Sequence, residues 1–226
     1  MTNQTQTPTV IVGSDMSPEL FVDIATTLRN LGVEVLADHS GEATRPAKVI
    51  VVVSPKGGSG KTAVCSNLAA ALAARHPGEV VAVDLDVQFG DLALALSLKG
   101  DRTLAQLARS KQFDATTVKL HLTPATEGLF VLAGAMDPVD AESVGHDDVS
   151  QVIPLLAQSF KYVVVDTSAG LDERTLAALE CATDILLVSS LDVTSIRSLR
   201  TAGDAFDQIG LAGERWLILN RADSKV

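Results

Sequence analysis

From Lys48 onward, short apolar runs alternate with longer stretches of helical periodicity. The apolar runs are continuous, as in Tyr-Val-Val-Val at 162–165, which is typical of strands buried on both faces. The pattern predicts strands at 48–53, 80–84, 129–133, 161–166, 184–189 and 215–220. It predicts helices at 61–75, 103–109, 147–159, 172–181 and 193–209. Strands separated by helices in this way indicate an α/β fold, a doubly wound, mainly parallel sheet with helices on both faces.

A shorter β-α-β pattern precedes this region. Residues 1–8 are polar and are predicted to form a disordered tail. Residues 9–38 predict a strand, a helix and a second strand, and a polar linker follows at 39–47. This lead-in looks like the opening third of a receiver-like domain but is too short for a complete one. It is either a truncated remnant or an extension at the edge of the main sheet. The main domain is then 48–226, and its C-terminal end could be trimmed.

Composition narrows the classes of function. The 226 residues are 46% hydrophobic and only 4% aromatic, which fits one large α/β domain with an aliphatic core. A net charge of −10 argues against a broad basic face for DNA. The sequence shows no signal-peptide pattern and no apolar run of membrane-spanning length. The two cysteines, Cys65 and Cys181, lack metal-site spacing, so we expect free thiols in a cytoplasmic protein.

Residues 54–62 read Ser-Pro-Lys-Gly-Gly-Ser-Gly-Lys-Thr, between a predicted strand and a predicted helix. This order is typical of a phosphate-binding loop, although a glycine-rich turn with a chance lysine has the same composition. Glycines let backbone N–H groups approach phosphate oxygens, and the helix N-terminus favours an anion. Lys61 adds a full charge, and the Thr62 hydroxyl suits Mg²⁺. The predicted phosphate-binding residues are Gly57, Gly58, Ser59, Gly60, Lys61, Thr62 and Ala63.

Two predicted strands end in aspartates. One continues as Asp84-Leu85-Asp86, and the other ends at Asp166. Ligands of such sheets lie at the carboxyl ends of the strands, where a carboxylate can hold Mg²⁺ directly or through water. Thr62, Asp84, Asp86 and Asp166 are therefore the candidate metal site. For Asp84, a capping or structural role fits the sequence equally well.

The loop contains a second lysine, Lys56, and its pattern Lys-Gly-Gly-x-Gly-Lys-Thr resembles the deviant Walker A motif of the MinD/ParA family of ATPases. The resemblance covers about 48–221. It implies a slow ATPase that binds ATP or ADP with Mg²⁺ and forms a homodimer when ATP binds. It implies that Lys56 reaches across the dimer to the partner's nucleotide and that Asp86 orients the attacking water. With Lys61, these are the candidate catalytic residues. A Lys56 that is merely solvated is the alternative.

The same resemblance implies a contact to the base. Asn220 ends the last predicted strand and would hydrogen-bond the adenine edge, because its amide offers both a donor and an acceptor. On the residues alone, turn-capping fits Asn220 equally well. Arg221 would lie over the base or stay in solvent. Ala63 stands where the family usually has a second hydroxyl residue, so about 1 kcal/mol of phosphate binding would be lost.

Residues 84–91, Asp-Leu-Asp-Val-Gln-Phe-Gly-Asp, look most like the CpaE/TadZ group of this family, which is linked to Flp/Tad pilus assembly at the cell pole. Residues 128–134 and the short lead-in agree with that group. The likeness implies a pilus-assembly or polar protein partner. It also implies a cytoplasmic location that is polar or peripheral to the inner face of the membrane, with only indirect membrane contact.

Other functions remain open at this stage. A MinD-like septum-site ATPase or a ParA-like partitioning ATPase would carry the same loop. So would a scaffold that binds nucleotide without hydrolysing it, or a metabolic enzyme that transfers phosphate to a small substrate. No separate lid or substrate segment is evident outside the irregular region at 85–128, which weighs against the metabolic enzyme.

Overall fold

The computed structural model describes residues 9–11, 34–36 and 47–221. The described strands are β1 (Thr9–Ile11), β2 (Glu34–Leu36), β3 (Lys48–Val53), β4 (Val80–Asp84), β5 (Thr123–Pro124), β6 (Leu129–Leu132), β7 (Tyr162–Asp166), β8 (Asp184–Ser190) and β9 (Glu214–Asn220). The described helices are α1 (Lys61–Arg75), α2 (Leu92–Ala95), α3 (Leu104–Ser110), α4 (Ala115–Leu120), α5 (Pro138–Ala141), α6 (His146–Ala157), α7 (Glu173–Glu180) and α8 (Val193–Ile209).

All described strands join one sheet in the order β2-β1-β9-β8-β3-β7-β4-β6-β5. The pairs from β9 across to β6 are parallel, and the pairs β1–β9 and β5–β6 are antiparallel. The chain crosses over between non-neighbouring strands, which places helices on both faces. The predicted doubly wound α/β fold is therefore confirmed.

The lead-in strands extend the edge of this sheet. β1 pairs in parallel with β2 and antiparallel with β9. The predicted tail at 1–8, the helix between the two strands, and nearly all of the linker at 39–47 lie outside the described residues. The division into a lead-in and a main domain stays a prediction.

The alternation of side chains along β3 shows how the core is divided. Val49, Val51 and Val53 belong to one buried cluster, and Ile50 and Val52 belong to another on the opposite face. On the second face they pack with buried residues of α1 such as Leu68 and Leu72. The first face is covered by buried residues of α3, α6, α7 and α8: Leu104, Leu107, Val152, Ile153, Ala178 and Phe206. A strand buried on both faces explains why the sequence shows continuous apolar runs.

The six predicted strands and five predicted helices of the main domain lie within two residues of their observed bounds. The short elements α2, α4, α5 and β5 were not predicted. They are two to six residues long, and their sequences have too few positions to show a period. None of the described helices is both long and apolar enough to cross a membrane.

Candidate functional site

The loop between β3 and α1 leaves the amide groups at the start of α1 without side-chain partners. α1 begins after Gly60 and has neither a side-chain cap nor an acidic residue in its first turn. By contrast, Asp172 caps α7 and Asp192 caps α8 through hydrogen bonds to backbone amides. An uncapped helix N-terminus at the end of a buried strand is a site for an anion.

Two glycines of the loop adopt backbone conformations that side chains disfavour. The φ angles of Gly58 and Gly60 are 74° and 96°, in the left-handed region. A Cβ atom on Gly60 would also collide with the side-chain amide of Asn220. The loop path therefore depends on glycine at these positions.

Neighbouring strands brace the loop through its backbone. The Gly170 amide, after β7, donates to the Ser54 carbonyl at 3.1 Å. The Asn220 side-chain amide, at the end of β9, donates to the Ser59 carbonyl at 2.8 Å. The Ser59 hydroxyl is buried and has no hydrogen-bond partner. A fixed loop that holds an unsatisfied hydroxyl fits a polar ligand.

Asp84 and Asp166 lie opposite each other in the register of β4 and β7. Both side chains are buried, and neither oxygen of the Asp166 carboxyl group has a hydrogen-bond partner. Asp84 instead accepts from the backbone amides of Asp86 at 3.1 Å and Leu92 at 3.2 Å. Asp84 thus holds the segment after β4 in place, which is the capping role that the sequence left open. Its role near a metal stays a prediction.

Burial makes the charged forms of these aspartates unfavourable. Burial, and then the charge of Asp166, raises the pKa of Asp84 to about 8. Burial also raises the pKa of Asp166 to about 6, although the nearby Thr62 hydroxyl and the Lys61 charge oppose this rise. The Thr62 hydroxyl lies close to Asp166 but outside hydrogen-bond geometry. A cation placed between Thr62 and Asp166 would relieve this cost.

Lys61 interacts electrostatically with two aspartates of the site, Asp86 and Asp166. Its side chain is buried, and its charge lowers the pKa of both Asp86 and Asp166. Burial nevertheless raises the pKa of the half-buried Asp86 above its ordinary value. A buried ammonium group beside two carboxyl groups and an uncapped helix N-terminus is arranged for a polyphosphate with its counter-ion.

The Lys56 side chain binds residues at the start of α8 of the same chain. Its ammonium group donates to Asp192 at 3.3 Å and to the hydroxyls of Thr194 and Ser195 at 2.9 Å and 3.4 Å. These groups form the N-terminus of α8, and about half of the Lys56 side chain is exposed. Lys56 is thus half exposed and also bound to three side chains, and the structure does not decide between the solvated Lys56 and one that acts at the nucleotide. Its predicted reach into a partner subunit stays a prediction.

Asn220 uses both ends of its amide within the protein. It donates to Ser59 of the loop, and its oxygen accepts from the Arg221 backbone amide at 3.0 Å. This is the turn-capping geometry, and the adenine contact implied by the resemblance stays a prediction. Arg221 is exposed, with a φ of 58°. Its contact with a base stays a prediction.

The described residues fit Mg²⁺ held mainly by water and phosphate. Among 9–11, 34–36 and 47–221, no group of three or more His, Cys, Asp or Glu residues is placed to hold a metal ion. Mg²⁺ commonly takes one or two protein ligands and completes its shell with water and phosphate oxygens. Thr62 and Asp166 are the residues that could hold it, and Asp86 is close enough to interact electrostatically with Asp166.

Sequence reasoning missed the side chains that hold Lys56. Asp192 and Ser195 have the spacing of a helix N-cap, which predicts the start of α8 but says nothing about a distant lysine. The brace from Gly170 to Ser54 joins two loops that are more than a hundred residues apart in sequence. No local pattern predicts either contact.

The chain matches the family model described as "AAA domain" over residues 47–211. It is 29% identical over 191 residues to the septum site-determining protein MinD of Neisseria meningitidis, covering 80% of this chain and 69% of the relative. It is 31% identical over 153 residues to MinD of Escherichia coli K12, covering 67% of this chain. The chain spans only 56% of the length of that second relative.

Two solved structures share the fold. The ParA family ATPase of Chlorobium tepidum superposes with a TM-score of 0.67 and 25% identity, covering 80% of this chain and 76% of that one. MinD of Pyrococcus horikoshii, solved with Mg-ADP, superposes with a TM-score of 0.63 and 26% identity, covering 74% and 67%. Both similarities cover most of this chain.

Proposed function

Because this chain belongs to the AAA-domain family and is a P-loop ATPase of the MinD/ParA type, we propose that it binds and hydrolyses ATP as a dimerisation switch. The observation that carries the proposal is the position of Lys61, buried beside Asp86 and Asp166 at an uncapped helix N-terminus. The P. horikoshii relative holds Mg-ADP, which supports the same ligand here.

The phosphates would lie against the amides of Gly57–Thr62 and Ala63, with Lys61 neutralising part of their charge. Thr62 and Asp166 would hold Mg²⁺, which supplies charge neutralisation at the phosphates. Asp86 would orient the attacking water. Burial raises the pKa of Asp86, and the Lys61 charge opposes that rise.

The switch would act through two assembly states. ATP would bring two chains together and hydrolysis would separate them, so that a partner binds one state more tightly than the other. In this proposal Lys56 leaves Asp192 and reaches the nucleotide of the second chain. The contacts of Lys56 are partly exposed and screened by water, so they are weak enough to be exchanged.

The cellular process in which the switch acts is a separate proposal. The relatives support placement of the division septum, or partitioning, more than they support pilus assembly. The pilus prediction rests on the likeness of residues 84–91, residues 128–134 and the short lead-in to one group of the family. A net charge of −10 weighs against DNA as the surface, which favours the septum-type role over partitioning.

Calorimetry with ATP and Mg²⁺ tests nucleotide binding. Lys61→Ala is expected to weaken binding by about 10- to 100-fold, because it removes a charge-assisted contact to phosphate. Lys119→Ala, which removes an exposed lysine on α4, is the matched control and should bind as the original chain does. Absence of heat with both ATP and ADP for the original, folded chain would overturn the proposal.

Hydrolysis and dimerisation need separate measurements. Asp86→Ala should abolish phosphate release while ATP remains bound, and sedimentation should then show a persistent dimer. Rapid phosphate release by Asp86→Ala would exclude Asp86 as the water-orienting group. If the original chain binds ATP but releases no phosphate, the alternative of a non-hydrolysing scaffold is correct.

A further inference from the structure

The carboxyl end of β9 carries a residue that touches the phosphate-binding loop. The Asn220 side-chain amide donates to the Ser59 carbonyl at 2.8 Å, and its oxygen accepts from the Arg221 amide at 3.0 Å. The contact is close, because a Cβ atom on Gly60 would collide with the Asn220 side chain. The position of the loop therefore depends on where the end of β9 lies.

The lead-in strand β1 borders that end of β9. On one side, β8 pairs with β9 along its whole length, Glu214–Asn220. On the other side, β1 pairs with residues 217–219 only, in the carboxyl half of the strand. Thr9 lies opposite Leu219, the residue that precedes Asn220. β9 is thus held between two paired strands just before it presents Asn220 to the loop.

The amino end of β9 is fixed in a different way. The Trp216 indole donates to the buried Asp184 carboxylate at 3.3 Å, and the Lys48 ammonium group donates to the same carboxylate at 3.2 Å. These side-chain contacts join the start of β9 to β8 and β3. Among the strands that the structure describes, β1 is the one that pairs with β9 on the side away from β8. A strand end that loses pairing on one side opens more readily, so β1 restricts movement at Asn220.

We propose that β1 is a positioning element for the candidate nucleotide site and acts through β9 and Asn220 on the phosphate-binding loop. Pairing of β1 with β9 would keep Asn220 against the Ser59 carbonyl, and loss of this pairing would let the loop open. An interaction that draws the lead-in away from β9 would therefore lower the affinity for nucleotide. By the same coupling, bound nucleotide would strengthen the pairing of β1. The effect on affinity rests on the proposed function, whereas the effect on loop opening does not.

The outer lead-in strand provides a matched control. β2 has three residues, as β1 does, and it pairs with β1 in parallel. It is the end strand in the order of the described sheet and does not pair with β9. A change that breaks only the pairing of β2 should leave the contact between β1 and β9 in place.

Hydrogen exchange of the nucleotide-free full chain, measured by mass spectrometry, tests the coupling. Successive N–H groups of a strand point to opposite sides, so Val10→Pro with Ile11→Pro removes a donor that faces β9, whichever of the two it is. Peptides that cover residues 57–62 should exchange at least about fivefold faster, and peptides that cover β4 should not change. Val35→Pro with Leu36→Pro, in β2, should leave exchange of the loop within about twofold of the original chain.

Two further variants separate backbone pairing from other effects. Val10→Ile with Ile11→Val keeps both N–H groups and the composition of the strand, so loop exchange should stay as in the original chain. The β1 proline pair should weaken binding of ADP with Mg²⁺ by about three- to tenfold in calorimetry, and Asn220→Ala should do the same. Adding the proline pair to Asn220→Ala should weaken binding by less than about twofold more, because both act through one contact.

Three results would overturn the proposal. Unchanged loop exchange in the β1 proline pair, with faster exchange in β9, would show that Asn220 holds the loop without β1. Equal acceleration by the β1 and β2 pairs would remove the specific role of the pairing with β9. Additive losses of affinity in the combined Asn220→Ala variant would mean that β1 acts by another route. Absence of ADP binding by the original chain would instead reject the proposed function, and the exchange result would still decide the role of β1.

Discussion

Asp166→Asn is expected to stabilise the nucleotide-free protein at neutral pH. The Asp166 carboxyl group is fully buried, has no hydrogen-bond partner and lies near Asp84. Its pKa rises from 3.8 to about 6 on folding. A rise of roughly two units, at about 1.4 kcal/mol per unit, corresponds to about 3 kcal/mol of unfolding free energy. An asparagine carries no charge and avoids this cost.

The raised pKa of Asp166 determines how the stability gain from Asp166→Asn changes with pH. Because the folded pKa is raised, the native state binds more protons than the unfolded state between pH 3.8 and about 6. The contribution to stability is thus fully present below pH 3.8 and is lost as pH rises through about 6. The gain from Asp166→Asn should be small near pH 4 and reach up to about 3 kcal/mol at pH 7 to 8.

Urea unfolding followed by Trp216 fluorescence measures this difference, because Trp216 is 4% exposed in the folded chain. EDTA keeps the protein free of metal. Asp91→Asn removes one exposed aspartate from the surface and corrects for the change in net charge. An Asp166→Asn variant that is less stable than the original chain by the same amount at pH 5 and pH 8 would refute the reasoning. The same variant should lose most of the stabilisation that Mg-ADP gives to the original chain.

Three further results are expected. Lys56→Ala should leave ATP binding by a single chain within about threefold, since the Lys56 ammonium group binds Asp192 at the start of α8; calorimetry that shows a loss of tenfold or more would contradict this. Gly60→Ala should destabilise the chain by about 1–3 kcal/mol in urea, through its φ of 96° and its collision with Asn220, whereas Gly203→Ala, in the middle of α8 with open space around it, should be neutral or stabilising. Phe206→Ala should lower the unfolding free energy by about 3–5 kcal/mol, because Phe206 is fully buried under the sheet; a loss below 1 kcal/mol would mean that α8 is not packed as described.

The long helices and strands were predictable because the pattern of apolar residues within each one indicates its type. β7, for example, is an unbroken apolar run, and α8 has an Asp192 N-cap at one end and Gly210 at the other. The order of the strands was not predictable, because it depends on which buried faces fit together across large sequence separations. β3 lies between β7 and β8, although more than a hundred residues separate it from either.

The site residues that belong to a local sequence motif were predictable. The glycine positions, Lys61 and the two strand-end aspartates follow from local sequence, and the structure brings them to one edge of the sheet. The partners of Lys56 and Asn220 were not predictable, because side-chain contacts between distant loops leave no local pattern.

The unfavourable features of the site share one physical cause. The Asp166 oxygens and the Ser59 hydroxyl are buried without partners, and α1 begins without a side-chain cap. Each feature destabilises the nucleotide-free chain, and an anion with its divalent cation would satisfy all of them together. Ligand binding should therefore remove most of the pH dependence attributed to Asp166, because a bound cation favours the carboxylate at every pH above its lowered pKa. If the unfolding free energy with saturating Mg-ADP still fell between pH 5 and pH 7 as steeply as without it, the cation would not be near Asp166.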